Sequence, residues 1–514
     1  MLLTRIKIIE VPHRPLLNDL EIKFSQEDDA TLTYPNILIG VNGSGKSQLL
    51  ETIAEIFLYL DRLFRPINRT IVNTSPLLFE IDYILTIRNK KFFVFVKQNA
   101  KKGKSPEIEV IDENEEEIEL SIDNFDEYLP QKIIGYTSGD NETLSLPFTE
   151  YYDEYADYTA RRALKEESKK LGDYEPRFYL MDYNTNIGVV IANLILGKTS
   201  KMDLLLGKIG VSCLKSFQII IQTKHKAAPG TIGIELTEEL DMWIDQLKNA
   251  ATCFQYFRVE NKYVLDFYIN AATKDALDFY FGSSIKFYTA LYKIELLNNL
   301  IIKKAHREAI KQQRSNRRLI TKPPTVADQD KVLNYSEIKL ELVSGDIVDY
   351  LSLSDGEHQL LNIFGTIIMT EFPNCLYLLD EPETHFNPKW RREFISLLSE
   401  LIKDRKQDYF LTSHSPFIVA DSKRDKVYIF RRFSDDKLIV ENPSKETYGS
   451  DFDYILKIAF DIEYSISERS LEELKTLQKS RSIPKIEEKI EEFGDSAEKL
   501  FLFKHLEDLK ARKK

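Results

Sequence analysis

The chain has 514 residues, 43% of them hydrophobic, with 70 Lys and Arg against 82 Asp and Glu, a net charge of −12. That length suits two or three domains with a sizeable core. With a mean hydropathy of −0.31 and no run near the ~18 apolar residues of a membrane span, it excludes a membrane protein, and its acidity leaves any nucleic-acid contact to a local patch.

The N-terminal residues Met1–Ile9 alternate like a strand and lack a secretory cleavage pattern. Cys213, Cys253 and Cys375 are scattered through apolar sequence. They read as core residues of a reduced, cytoplasmic protein. Asn36-Ile37-Leu38-Ile39 reads as a buried strand, and the stretch from Gln48 to Phe57 as a helix. Between them, Gly40-Val41-Asn42-Gly43-Ser44-Gly45-Lys46-Ser47 fits the P-loop pattern G-x-x-x-x-G-K-[ST]. Its glycines let backbone N–H groups turn inward around phosphate oxygens, helped by the positive end of the helix. Asn42, Gly43, Ser44, Gly45, Lys46 and Ser47 are therefore expected to bind ATP. Lys46 would reach the β- and γ-phosphates, and Ser47 would ligate Mg²⁺.

Further on, 78–87 and 91–97 read as a hairpin, and 107–119 as a third strand with an acidic turn. Gln131–Tyr136 is a buried strand that runs into Thr137-Ser138-Gly139-Asp140-Asn141, rich in turn formers. Residues 146–335 read as a mainly helical insertion, with helical pattern over 188–206, 236–252 and 285–310 and no sustained heptads. It closes on a basic run of Lys303, Lys304, Arg307, Lys311, Arg314, Arg317, Arg318 and Lys322 before Pro323-Pro324. Such a run can neutralise phosphates without reading bases. Nucleic acid is an expected partner of Lys303, Arg307, Lys311, Arg314, Arg317 and Arg318; a solvated helix face and linker is the other reading.

Leu353-Ser354-Asp355-Gly356-Glu357 follows the L-S-x-G-[EQ] signature of ABC-type ATPases and opens an apolar helix. Cys375–Glu381 is an apolar run ending in two carboxylates, and Tyr409–His414 another ending in histidine. Buried parallel strands deliver such residues to the carboxyl edge of a sheet, where ligands bind. Asp380 would hold Mg²⁺, Glu381 would act as general base, and His414 would contact the γ-phosphate or the attacking water. Ser354 and Gly356 would close over the nucleotide of a second, head-to-tail subunit. Residues 451–514 read as a charged helical appendage. Asp451-Phe452-Asp453 has D-x-D metal spacing but opens a helix, and the seven histidines show no H-N-H spacing, so no nuclease is expected in this chain.

These motifs, with Asp380-Glu381-Pro382-Glu383-Thr384-His385-Phe386-Asn387-Pro388 and Thr412-Ser413-His414-Ser415-Pro416-Phe417, resemble the restriction-system-associated, retron- and Septu-type (PtuA-like) AAA ATPases of the SMC/ABC superfamily. The resemblance covers about half of the chain. It implies an α/β fold: an ABC/SMC-type P-loop ATPase head with a mainly helical insertion and a helical C-terminal tail. The expected divisions are 1–145, 146–335, 336–445 and 446–514. It also implies a homodimer or higher even oligomer, a partner nuclease of the HNH type and, for retron versions, a reverse transcriptase with its RNA–DNA hybrid. The function so implied is an ATPase subunit of a prokaryotic antiphage defence complex. The alternative is a DNA-repair or chromosome-organising SMC-like ATPase acting directly on DNA. A transporter ATPase would carry a glutamine near Ser138-Gly139 and an aspartate at Asn387, and this chain carries neither.

Overall fold

The apolar runs that read as buried strands assemble side by side into one seven-stranded sheet. In the computed structural model its order is Leu438–Glu441, Val427–Arg432, Asn36–Gly40, Asp408–Thr412, Cys375–Asp380, Lys132–Thr137 and Phe178–Met181. Only the first pair is antiparallel; the other five pairings are parallel. The structure describes all residues except 26–33, 65–74, 76, 101–104, 121–123, 139–143, 171–173, 182–185, 198–199, 225–232, 316–325, 404, 434–436 and 514.

A parallel sheet is covered on both faces, which is why its strands read as continuous apolar runs. Ile37, Leu38 and Ile39, Leu376 through Leu379, and Phe410 with Leu411 are all fully buried. Each such side chain contributes roughly 1.5–3 kcal/mol by leaving water. The helix after the P-loop, Lys46–Phe64, lies against this sheet with Leu49, Leu50, Ile53 and Phe57 buried. Ion pairs tie its far end to the insertion. Asp61 accepts from Arg177 Nε at 2.8 Å with both groups buried, and Arg62 meets Glu150 and Glu154 at 2.7 Å. Removing one partner of a buried pair leaves an uncompensated charge and costs about 3–5 kcal/mol.

A second, antiparallel sheet runs Leu20–Lys23, Leu2–Glu10, Leu78–Ile87, Lys90–Gln98 and Glu107–Asp112. It contains the expected hairpin, turned at Arg88 and Asn89, both at positive φ. The insertion has the expected helices, with shifted ends. Asn186–Leu196 and Ser200–Ile209 stand where one helix was expected, followed by Glu238–Ala250. Where one helix was expected over 285–310, Ser284–Leu296 is followed by a short 3-10 stretch and a separate helix, Lys304–Ser315. Between them lies an element that the helical reading overlooked. The 12-residue strand Val211–Gln222 centres a third sheet, ordered Cys253–Phe257, Lys262–Tyr268, Val211–Gln222, Leu333–Leu342 and Ile347–Asp349.

The basic run also departs from expectation. Arg307 is buried, with Nη2 2.7 Å from Asp157 and Nη1 3.6 Å from Asp153, so its charge is spent inside the fold rather than on phosphate. Lys303 is exposed, and exposed Lys304 lies 3.8 Å from Glu308. The side chains of Lys311 and Arg314, and Arg317, Arg318 and Lys322 entirely, lie outside the described residues.

Two compact units result, Met1–Tyr448 and Gly449–Lys514. The second is helical, as expected, with a core of Leu474, Leu477, Ile486, Ile490, Leu502 and Leu506. Asp451 caps its first helix, accepting from Tyr454 N at 2.8 Å, which accounts for that aspartate without a metal. No described helix is long and apolar enough to cross a membrane.

Gly135 sits in the middle of Lys132–Thr137, where an added Cβ would come within 2.5 Å of the fully buried Phe148 ring. Gly135→Ala should therefore destabilise the protein by about 1–3 kcal/mol through overpacking, and Phe148→Leu in the same chain should restore part of the loss. Thermal unfolding of the two variants checks this; an unchanged melting point for Gly135→Ala would show that the strand can yield.

Candidate functional site

The P-loop has the shape that its glycines permit. Gly40 has φ +147°, and a Cβ there would stand 2.5 Å from the Phe430 carbonyl oxygen of the neighbouring strand. No side chain fits where two backbones approach so closely. Gly43 and Gly45 also take positive φ, turning the loop inward. Lys46 is buried within it, with Nζ donating to the carbonyls of Gly40 at 2.9 Å and Val41 at 3.2 Å. Burial lowers its ammonium to about 8, although Glu381 and Asp380 pull the other way.

Across the sheet, the strand ends deliver their polar residues to the same edge. Asp380 Oδ1 accepts from Ser47 Oγ at 2.7 Å and also from the Thr412 hydroxyl. Thr412 Oγ1 in turn accepts from Glu381 N at 3.0 Å. Burial raises the Asp380 carboxyl, and its two hydroxyl donors oppose the shift. Glu381 takes φ +50°, a left-handed conformation rare outside glycine. Such strain, of order 1–3 kcal/mol, persists where the surroundings over-determine it and is concentrated at functional sites. Its Oε1 lies 3.4 Å from His414 Nε2. Burial, then Lys46, lowers His414 to about 4, so its ring is neutral at pH 7.

The donor set fits a magnesium nucleotide. Mg²⁺ takes oxygen ligands from one or two protein groups plus phosphates, and Ser47 with Asp380 supplies a hydroxyl and a carboxylate side by side. Ser44 Oγ is buried and has no hydrogen-bond partner among the described residues, an orphan suited to a phosphate oxygen.

The signature stands apart from this network. Ser354 caps the helix Asp355–Met369 in a capping box with Glu357, to which all its side-chain hydrogen bonds go, and it is exposed. Gly356 is close-fitted: a Cβ would stand 2.9 Å from the His385 carbonyl oxygen. Asn387 caps the helix Pro388–Ile402 by accepting from Trp390 N at 2.9 Å. Of the loop expected to sense the γ-phosphate, Ser138 accepts from Thr384 Oγ1 at 3.2 Å, and 139–143 lie outside the described residues.

Three groups at this edge stand in or beside the quoted motifs but were given no role from the sequence. Thr412 bridges the two acidic residues; it was quoted in its motif, where the sign of such a role is a hydroxyl ending an apolar strand. Gln359, a polar residue on the buried side of an apolar helix, donates to Tyr136 Oη and Pro382 O at 2.7 Å and accepts from His385 N. It thereby fastens the signature helix to the loop after Glu381. Glu383 is buried, accepts from Ser413 Oγ, and is pushed up to about 7 by burial.

Fold and site together define a P-loop ATPase of the ABC/SMC head class. More particularly, the chain belongs to the AAA ATPase domain family, which matches residues 13–419. It is similar to the energy-coupling factor transporter ATP-binding protein EcfA1 of Caldanaerobacter subterraneus subsp. tengcongensis, 32% identical over 110 residues. That match spans 21% of this chain and 36% of the relative. Among solved structures it is similar to the SMC head domain from Thermotoga maritima, at 9% identity and a TM-score of 0.32 over 87% of this chain and 100% of that one. It is also similar to the Smc head domain with coiled coil and joint from Pyrococcus yayanosii, at 14% identity and 0.31 over 88% and 98%. The fold assignment rests on the strand order and motif positions, not on these superpositions.

Two outcomes follow from the geometry. Glu381→Gln should retain ATP binding but hydrolyse ATP about 10²–10⁴-fold more slowly, the usual worth of a positioned base; wild-type turnover in that variant would remove Glu381 from the role. The second concerns pH. ATP phosphates favour the charged form of Lys46, whose value in the free protein is about 8. Binding below that pH needs no proton uptake; above it each complex must take one up, so Kd should be flat from pH 6.5 to 7.5 and approach a tenfold rise per unit above roughly pH 9. Calorimetry across that range checks it, and a flat Kd throughout would mean that Lys46 stays charged.

Proposed function

We propose that this chain hydrolyses ATP as a head-to-tail dimer, and that the closing and opening of the dimer controls a separate effector. The P-loop amides and Lys46 bind and orient the phosphates, and Ser47 with Asp380 would hold Mg²⁺. The bound ion would neutralise charge on the transferred phosphoryl group. Glu381, fixed at the sheet edge by its backbone bond to Thr412, takes a proton from the attacking water. Neutral His414 can accept a hydrogen bond from that water or donate one to a γ-phosphate oxygen, and its place beside Glu381 suits either.

One observation carries the dimer: Ser47, Asp380, Glu381, Thr412 and His414 form one contact network, while the signature serine lies exposed and bonds only Glu357. A signature turned outward is available to a second subunit's nucleotide. The finer reading is an ATPase subunit of an antiphage defence complex of the retron or Septu type, with an HNH-type nuclease as effector. It is supported by the motif resemblance, above all the run from Asp380 to Pro388. With Arg307 committed inside the fold, direct action on DNA through the basic run is the weaker reading.

Mixing tests the dimer. Lys46→Ala chains and Ser354→Arg chains should each be inactive alone. A verified mixed dimer should regain about half of wild-type turnover, since one of its two composite sites keeps both functional halves. No recovery would place the whole catalytic site within one subunit. Co-purification from the native host tests the finer reading: a nuclease retained with ATP supports it, and DNA retained without a protein partner supports direct action.

A further inference from the structure

One sizeable cavity lies away from the nucleotide edge. It has a volume of about 830 Å³ and lies at the opposite, N-terminal edge of the parallel sheet, between the head and the helices of the insertion. Gln131 and Lys132, Arg177, and Phe372 through Asn374 line it, and each group stands at the start of a sheet strand. Two of those strands, Lys132–Thr137 and Cys375–Asp380, run to the nucleotide edge, a span of about 20 Å at strand rise.

Its walls combine aromatic surface with fixed cations. Trp243, Tyr280 and Phe281 from the insertion face Phe372 from the head. Lys132 is buried, with Nζ 2.6 Å from Pro176 O, 3.9 Å from Glu175, and lying over the Tyr179 and Phe372 rings. Arg88 and Lys286 add exposed cations at the rim. The lining holds four cations (Arg88, Lys132, Arg177, Lys286) and three carboxylates (Asp126, Glu127, Glu175). Asp126 is tied to Arg177 at 2.7 Å, and Glu175 is met at 3.2 Å by Lys293, a fully buried cation behind the wall. Arg177 also pairs with Asp61 at 2.8 Å and Lys293 with Glu239 at 3.1 Å, so the inner ion pairs leave no surplus cation, and the positive surplus is confined to exposed Arg88 and Lys286 against Glu127 at the rim. A cavity of a few hundred to about 1,000 Å³, aromatic-walled with a few placed polar groups, is the usual form of a small-molecule site.

We infer that this cavity is a second ligand site, for a small molecule that joins a planar aromatic ring to an acidic group, with the size and character of a nucleoside monophosphate. The ring lies among Trp243, Tyr280 and Phe372, and the acidic group faces Lys132 and Lys286. This goes beyond the ATPase reading and does not depend on it.

Trp243 reports on the site. The chain has two tryptophans, so Trp390→Phe leaves Trp243 as the only one, and Lys46→Ala in the same full-length chain weakens the P-loop as a competing site. Adding AMP should change Trp243 emission saturably. Adenosine, which lacks the phosphate, should bind at least about tenfold more weakly, as expected when a charge-assisted contact is lost. Lys286→Glu, at the exposed rim, and Lys132→Met, inside, should each weaken AMP by about tenfold or more. Because Lys132 is buried and its variant can lose stability, Lys286→Glu decides the question by itself if Lys132→Met does not fold. No saturable change with millimolar AMP, equal affinity for adenosine, or AMP affinity untouched by Lys286→Glu would each overturn the assignment.

Discussion

One oxygen atom holds the catalytic edge together. Asp380 Oδ1 accepts from Ser47, on the helix after the P-loop, and from Thr412, at the end of the neighbouring strand. It thus joins two strands whose ends lie 32 residues apart to a helix whose Ser47 stands 333 residues earlier in the chain. Thr412 passes the constraint on by accepting from Glu381 N, which holds that residue in its left-handed conformation. The positions of Glu381, proposed as the base, of His414 beside it and of the Ser47 hydroxyl suited to Mg²⁺ all follow from this small network. The strands beneath it are fully buried, and the half-buried Asp380 carboxylate is tolerated because polar donors meet it.

The head was legible because its strands are buried on both faces. Such strands appear as apolar runs, and their polar endings mark the edge where chemistry occurs; Asp380, Glu381 and His414 were found this way. The insertion was less legible. Val211–Gln222 alternates Leu214, Ser216, Gln218 and Ile220 with Lys215, Phe217, Ile219 and Ile221. Apolar residues fall on both parities, so neither a helical nor a strand period stands out. Arg307 shows another limit. Its charge looks like its neighbours' in the sequence, and only the fold brings Asp153 and Asp157, some 150 positions earlier, against it.

Ser354 shows how one residue can satisfy two readings. A serine followed three positions later by glutamate is a capping box, worth having for helix stability alone, and the structure contains that box in full. The cap accounts for Ser354 without any partner. What it does not account for is Gly356, pressed against the His385 carbonyl, or Gln359, which bonds the loop after Glu381. Those contacts join the signature helix to the loop after Glu381. In the proposed dimer, closure over a second nucleotide would therefore be felt at Glu381.

The strand order also sets a timetable for synthesis. The P-loop strand Asn36–Gly40 pairs with Asp408–Thr412 on one side and Val427–Arg432 on the other. Both neighbours leave the ribosome about 370 residues later, which at 5–20 residues per second is roughly 20–70 s. The antiparallel hairpin Leu78–Ile87 and Lys90–Gln98 can close locally within that time. The apolar strand Asn36–Gly40 cannot, because its partners do not yet exist. A nascent chain therefore carries this apolar strand unpaired until its partners are made, and its yield in a cell should depend on chaperone supply and elongation rate as well as on the stability of the finished protein.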